Sequence, residues 1–439
     1  MRMGIGLGVG INRSNYAQGI FGAYATRVVA DGGVVEAGAC VDAVSGLLLS
    51  ASLLLIPSGY KGGKLYAEIP TNGNGDLTWT RSGTANRTNA SGNIELMGAN
   101  VPRLSYMYGS CPAVLAEPQR TNLCLYSEQF NDASWLKNNT TVTANQETSP
   151  DGTQNADLLS ASSGATAFLY RSFTLTAGTS YTFSIYVKKK TVTISSNRFR
   201  INFVNNLFVD FSGSVPVITS GSGSIQNSAN GFYRIITTVT PSVASNVLYL
   251  YPDGNNNSAD EFYIYGAQLE AGAYPSTYIS TTSASATRVA DSFSRNNIYT
   301  NGLITSSGGT WFVELRGNVA YTRDNASSNL ILFDSVGNNY LRFRNDGTPN
   351  SRLRIQKVIS GTSTDLIITP SNTCKVAIKW DGSTADVFIN GVKEISATSF
   401  TATQLQDLTA TVQVPTFIQQ MALFPEPKSD QFCIDLTTL

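Results

Sequence analysis

KVAIKWDGSTADVFINGVKEI, residues 375–395, decides the fold. Val376, Ile378 and Trp380 alternate with Ala377 and Lys379, the signature of a strand with one apolar face. Asp381-Gly382-Ser383-Thr384 supplies a turn, and Ala385, Val387 and Ile389 resume the alternation. Asn390-Gly391 is the dipeptide that best tolerates the positive φ of a two-residue hairpin, and Val392 to Ile395 returns as the next strand. Such a meander is an antiparallel sheet with one face packed on a second sheet. A strand from Met421 to Phe424 and a short closing helix from Asp430 to Leu436 follow.

Working backwards, Trp311, Val313 and Leu315 share one face of an early strand. Strands are predicted over 329–334, 340–344 and 352–359. Leu341, Phe343, Leu353 and Ile355 point inward on this pattern, which turns Tyr340, Arg342, Arg344, Arg352, Arg354 and Gln356 outward. Four arginines and a tyrosine on one face need an answering group. Asp386, Glu394, a neighbouring subunit or an acidic sugar could supply it, since guanidinium planes suit carboxylates and tyrosine suits stacking on a sugar.

The middle of the chain, 131–278, reads as a self-contained β-sandwich. Strands are predicted over 167–175, 180–188, 198–203, 232–239, 247–251 and 261–269. Tyr181, Phe183, Ile185 and Val187 share a face, as do Phe199, Ile201 and Phe203. The run Lys188-Lys189-Lys190 sits at a strand end and reads as a solvated turn. Asp253, Asp260 and Glu261 cluster in one loop and are candidate calcium ligands, although their spacing is not that of a twelve-residue calcium loop.

Residues 1–75 read differently. Gly4, Gly6, Gly8 and Gly10 alternate with Ile5, Leu7, Val9 and Ile11, and apolar residues recur at roughly helical spacing from Val34 to Leu55. A glycine-rich arm with little core of its own needs a partner surface, so 1–75 is expected to dock onto one; an ordinary first part of the first domain is the plainer alternative. Residues 76–130 form a linking β segment. It either completes the C-terminal sandwich, with the middle one inserted, or packs as a linker on both. Arg81, Arg87, Arg103 and Arg120 recur through it, either as a basic contact surface or as donors to loop carbonyls.

Composition narrows the chemistry. The 439 residues suit two or three domains. With 30 basic and 30 acidic residues the net charge is zero, which argues against nucleic-acid binding. No histidine occurs, so Ser-His-Asp and Cys-His catalysis and imidazole metal ligation are excluded. Cys40, Cys111, Cys124, Cys374 and Cys433 show neither zinc nor disulfide spacing and are expected to be buried free thiols. The apolar run 47–57 is far below the ~20 residues that span a bilayer, so no membrane insertion is expected. No carboxylate pair with glycosidase spacing, phosphate loop or dinucleotide fingerprint is evident, and no catalysis is expected.

The V-x-I-x-W-D-G…V-x-I-N-G pattern at 376–391 resembles concanavalin-A-like, laminin-G-type domains over 279–439. The opening FNDASWLKNNTTVTANQETSPDGTQNADLL (130–159) and the close FYIYGAQLEAG (262–272) resemble carbohydrate-binding modules of jelly-roll type over 131–278. The segments 53–95 and 100–135 resemble structural proteins of tailed phages, of the crAss-like and Bacteroidetes-phage type. The resemblance implies an all-β chain with two antiparallel jelly-roll sandwiches in tandem behind the N-terminal docking region. It further implies a head- or tail-fibre or spike subunit, homotrimeric, docked on other virion proteins and adhering to host-surface glycans. A purely structural virion part, such as a decoration or connector, and a polysaccharide depolymerase are the alternatives. The protein would be assembled in the host cytoplasm and reside in the virion.

Overall fold

The computed structural model describes residues 15–36, 45–162, 164–190, 197–254, 259–316, 329–334, 339–346, 352–368, 373–400, 404–411 and 415–438. Within these, it does not describe the side chains of 15–20, 45, 329, 344–346, 352–354, 363–368, 396–398 and 411. The glycine alternation at 4–10 lies outside the described residues. The chain is nearly all-β, every sheet pairing given below is antiparallel, and it divides into two compact units.

The first unit is Met1–Ala90, Met97–Gln119 and Val289–Leu439. Its longer sheet runs in the order Val34–Val35, Gly59–Lys61, Lys64–Leu65, Leu77–Thr80, Ser292–Arg295, Leu405–Thr411, Asn329–Asp334, Tyr340–Asp346, Arg352–Ile359, Thr362–Ile368. The facing sheet runs Val392–Ser399, Thr384–Ile389, Thr373–Trp380, Gly309–Arg316, Thr416–Phe424, Ala113–Ala116, Leu104–Ser105, with Leu53–Leu55 also on Thr416–Phe424. Strands from 53–116 and from 292–424 therefore share both sheets, and 120–288 intervene in the sequence between them.

Alternation fixes the core between these sheets. Trp79 stacks on Phe293 at 5.7 Å, and Trp311 meets Phe343 edge-on at 4.6 Å. Trp380 lies so close to Gly309 that a Cβ there would stand 2.9 Å from its ring. Asn390 and Gly391 adopt φ of 48° and 86°, as the hairpin between Thr384–Ile389 and Val392–Ser399 requires. The closing helix Asp430–Thr437 is capped by Ser429, whose side chain accepts from the Phe432 N–H.

The N-terminal region is corrected in two ways. Helical spacing from 34 to 55 gives instead a strand Val34–Val35, a short helix Ser45–Leu48 and a strand Leu53–Leu55. Leu53, Leu55, Tyr60 and Leu65 are buried in the core of this unit, while Tyr24 and Val28 of the helix Asn15–Ala30 pack on Tyr66. The described part of this stretch is thus packed into the first unit, as an ordinary first part of a domain would be.

Three of the four recurring arginines, Arg81, Arg87 and Arg103, do not form a basic surface. Arg81 donates to Asp291 at 2.8 Å, Arg103 pairs with Asp291 and with Glu117 (2.6 Å for the latter), and all four residues are buried. Arg87 pairs with Glu36 and donates to the Leu104 carbonyl at 3.0 Å. Removing one member of such a set strands a buried charge. Cys111 is disulfide-bonded, contrary to expectation, while Cys124, Cys374 and Cys433 are free and buried.

The second unit is Ser91–Leu96 with Arg120–Arg288, a sandwich of two six-stranded sheets. One sheet runs Leu136–Asn138, Phe168–Thr174, Ser245–Tyr251, Arg198–Phe203, Asn205–Asp210, Val217–Ser220. The other runs Thr140–Thr148, Gln154–Ala161, Glu261–Ala271, Tyr181–Lys189, Tyr233–Val239, Ser224–Asn227. Phe183, Ile185, Val187, Phe199, Ile201, Phe203, Leu248, Leu250, Phe262 and Ile264 fill the space between, which is what the alternation predicts. Arg120, Thr121 and Asn122 pair with Arg288, Thr287 and Ala286, so the two ends of this unit's main segment are zipped together.

Candidate functional site

The arginine face expected from sequence lies on the longer sheet of the first unit. The register sets Arg342 opposite Gln356, Arg344 opposite Arg354 and Asp346 opposite Arg352. Leu341, Phe343 and Ile355 are in the core, so Tyr340 and Arg342 take the outer side, with the Arg342 guanidinium 5.1 Å from the Tyr340 ring centre. The side chains of Arg344, Arg352 and Arg354 lie outside the described residues. Gln356 is buried. Asp386 does not answer these arginines. It belongs to the facing sheet and pairs with Lys379 at 3.3 Å and Lys393 at 3.0 Å, which also hold Asp430.

Of the calcium candidates, Asp253 and Asp260 are buried, and Glu261 accepts from Ser160 at 2.9 Å and pairs with Lys190 at 2.7 Å. Among the described residues no group of three or more His, Cys, Asp or Glu is placed to hold a metal. The lysine run is answered residue by residue: Lys188 by Glu147 at 3.1 Å, Lys189 by Asn197, and Lys190 by Glu261.

The two outer faces of the middle sandwich differ. On the sheet built around Glu261–Ala271, Thr182, Ser184, Tyr186, Arg234, Gln268 and Glu270 are all buried. The following segment lies across them. Arg234 donates to the Ser276 carbonyl at 2.8 Å, Glu270 accepts from the Ser276 N–H at 2.8 Å, and Gln268 accepts from the Ile279 N–H at 2.7 Å. Asn122, fully buried, closes the arrangement. Its amide donates to the carbonyls of Ala267 (3.0 Å) and Ile279 (2.8 Å), and its oxygen accepts from Cys124 (2.9 Å) and Leu269 (3.0 Å).

At the margin of this covered face stands a carboxylate pair, Glu128 and Asp151, joined through Tyr265. Tyr265 donates to Glu128 at 3.2 Å and to Asp151 at 3.1 Å, and Tyr278 donates to Glu128 at 2.9 Å. Burial raises the Glu128 pKa against those two bonds. Asp151 is also pushed up by burial, but bonds from Thr153, Asn155 and Ser149 outweigh this and hold it low. Its Oδ1 takes Ser149 and both donors of Thr153, and its Oδ2 takes Asn155 and Tyr265. A carboxylate so occupied is a loop brace, with no lone pair left to activate water or attack a sugar.

The opposite face is open. On Phe168–Thr174, Ser245–Tyr251, Arg198–Phe203 and Asn205–Asp210, the residues between the core positions come into two cross-strand rows. One row reads Asn138, Phe168, Tyr251, Arg200, Phe208; the next reads Leu136, Tyr170, Tyr249, Asn202, Asn206. Tyr170 stacks on Tyr249 with centroids 5.7 Å apart, and Phe168 meets Tyr170, Tyr249 and Tyr251 at 5.5, 5.3 and 5.4 Å. Phe168, Tyr170, Tyr249 and Phe208 are half-buried, their remaining surface turned out. Burial raises the Tyr251 hydroxyl pKa despite nearby Arg200, so it stays protonated. At neighbouring-strand spacings of ~4.8 Å, five strands make a platform about 19 Å across, with Phe168, Tyr170, Tyr249 and Tyr251 on two adjacent strands and Arg200, Asn202 and Asn206 on the next two. Preformed rings beside a few fixed polar groups describe a binding surface.

Sequence reasoning followed the inward set Phe199, Ile201 and Phe203 and passed over its complement. The signal was available: Phe168 and Tyr170, Arg200 and Asn202, Tyr249 and Tyr251 each stand two apart, on the non-core parity.

No family model and no curated protein matches the chain. Among solved structures, the chain is similar to a CBM40 module of a Ruminococcus gnavus IT-sialidase, at 18% identity over 30% of this chain and 84% of that one, with a TM-score of 0.23. Domain 4 of a GH43 extracellular arabinanase from Geobacillus stearothermophilus, in complex with arabinotriose, matches at 16% identity over 37% and 81%, with a TM-score of 0.27. Domains LG4-5 of the mouse laminin alpha1 chain match at 9% identity over 61% and 93%, with a TM-score of 0.19.

Proposed function

We propose that this chain binds carbohydrate without transforming it, through the open face of the middle sandwich. The observation that carries this is the ring cluster Phe168, Tyr170, Tyr249 and Tyr251, gathered on one sheet beside Arg200, Asn202 and Asn206. Sugar rings offer apolar C–H faces to aromatic planes and hydroxyls to amides and guanidinium groups. The platform is preformed, so little ordering opposes binding. The absence of histidine and the occupied Asp151 both favour recognition over hydrolysis.

The setting we propose is a tailed-phage fibre or spike subunit in the virion, assembled in the host cytoplasm as a homotrimer. Residues of 1–75 outside the buried set would meet other virion proteins. The resemblance of 53–95 and 100–135 to phage structural proteins supports this setting. Several copies of one weak site, each near millimolar, add up to firm attachment to a host glycan. Glycan-array binding by the purified full chain tests the site. Binding is expected for the native chain, and a Tyr170→Ala, Tyr249→Ala double variant is expected to lose it. Equal binding by both would sink the assignment.

A structural virion role is the second reading, favoured by the register that sets Arg344 opposite Arg354. Two like charges at facing positions are eased by an acidic group from another subunit. Arg342→Ala with Arg354→Ala is then expected to loosen the oligomer, measured by light scattering, and to spare glycan binding.

A further inference from the structure

We infer that the open face takes a carboxylate-bearing glycan, a uronate-type acidic sugar, and that Arg200 is the residue that reads the carboxylate. This rests on the carbohydrate-binding reading above. The Arg200 guanidinium is held between two rings, 4.5 Å from the Tyr251 centroid and 5.1 Å from that of Phe208. Its Nε and Nη2 both donate to the Asn206 side-chain oxygen, at 3.0 and 2.7 Å. That acceptor is neutral. Among the described residues Arg200 makes no ion pair, and neither cross-strand row contains an aspartate or glutamate.

The neighbouring charges are placed elsewhere. Arg198, the next arginine along the strand, stands opposite Asp210. Lys137 directs its ammonium to the carbonyls of Asn131, Asp132 and Trp135. Arg171 donates to the Leu125 carbonyl and to Ser134. Asp253, two residues past Tyr251, is fully buried. Arg200 is thus a partly exposed cation, set against two rings and one amide, on a platform with no counter-charge in its rows.

Arg81 and Arg103 of the first unit are held by carboxylates, and Arg171 and Arg234 of this unit by backbone carbonyls and hydroxyls, whereas Arg200 is bonded to one side-chain amide. Here the fork is oriented and its Nη1 donors remain available. A planar carboxylate accepts two parallel N–H bonds from such a fork. The rings at Tyr170 and Tyr249 lie on the next row, one sugar face away, so one ligand can stack and pair at once. Because the side chain is already ordered, the pair forms at little entropic cost.

The test uses the full chain and four polymers: polygalacturonate, its methyl ester, a sulfated galactan and a neutral galactan. Titration calorimetry is expected to show binding to polygalacturonate, weakened by added salt. Methyl esterification and Arg200→Gln should each weaken it by roughly ten- to a hundredfold, the range of a charge-assisted hydrogen bond. Arg200→Gln should leave the residual binding of the ester unchanged, and Arg200→Lys should recover only part of the loss. Thermal denaturation confirms that each variant folds. Equal binding of acid and ester, or equal loss of both in Arg200→Gln, overturns this inference while leaving the carbohydrate site standing. Preference for the sulfated galactan with the same Arg200 dependence overturns the carboxylate assignment. Absence of binding to all four polymers, or binding that Tyr249→Ala leaves unchanged, sinks the underlying reading as well.

Discussion

Both outer faces of the middle sandwich carry tyrosines, and they have opposite fates. On one, Tyr265 of the sheet and Tyr278 of the segment that returns over it are both buried, their hydroxyls bonded to Glu128 and Asp151. On the other, Tyr170 and Tyr249 stack with part of their surface exposed. Ring content alone therefore does not mark a binding surface. What separates the two is whether the polar groups between the rings are already satisfied by the protein.

If that distinction is real, stability and binding should come apart. The largest effect is expected from Asn122→Ala, which strands two carbonyls and two N–H groups under the covered face. At about 1–3 kcal/mol for each orphaned buried group, a loss of roughly 3 kcal/mol or more should appear in denaturant unfolding. Glycan affinity of the folded fraction should not change. Tyr249→Ala should do the reverse, lowering affinity about tenfold, ~1.4 kcal/mol, with little change in Tm. A Tyr249→Ala variant that unfolds as readily as Asn122→Ala would erase the contrast.

A third measurement concerns pH. Burial raises Glu128 above its unfolded value of about 4.3, so the folded state binds this proton more tightly. Its contribution to stability is therefore full below that value and is lost as pH rises through the folded pKa. Asp151 is shifted the other way and contributes stability that is lost as pH falls. Glu128→Gln should flatten the decline of Tm above pH 4.3 relative to the native chain, whereas an unchanged slope would show that Glu128 is not buried in solution. The smallest effect is expected from calcium. Glu261 is held by Lys190, so chelation should move neither Tm nor affinity; a rise in Tm with added calcium would reinstate the Asp253, Asp260, Glu261 site.

Much of the strand pattern was legible because alternation is a local signal. Arg198–Phe203, Asn329–Asp334 and Arg352–Ile359 begin and end where the residues predict. Thr140–Thr148 and Thr362–Ile368 were missed, since Thr- and Asn-rich edges lack an apolar parity. Leu53–Leu55 could not be placed from its neighbours, because its partner strand is Thr416–Phe424, more than 360 residues on. The site was half legible. Its residues stand in plain alternation, but which face the chain would later cover is decided by Asn122 and 274–281, through contacts distant in sequence.

The ladder joining Arg120, Thr121 and Asn122 to Arg288, Thr287 and Ala286 has an evolutionary corollary. A module whose inbound and outbound strands are tied to each other needs two adjacent attachment points and, here, the short piece Ser91–Leu96 that belongs to it. Moved together, the two pieces form a cassette, so grafting both is expected to carry whatever the module binds onto another scaffold in one step.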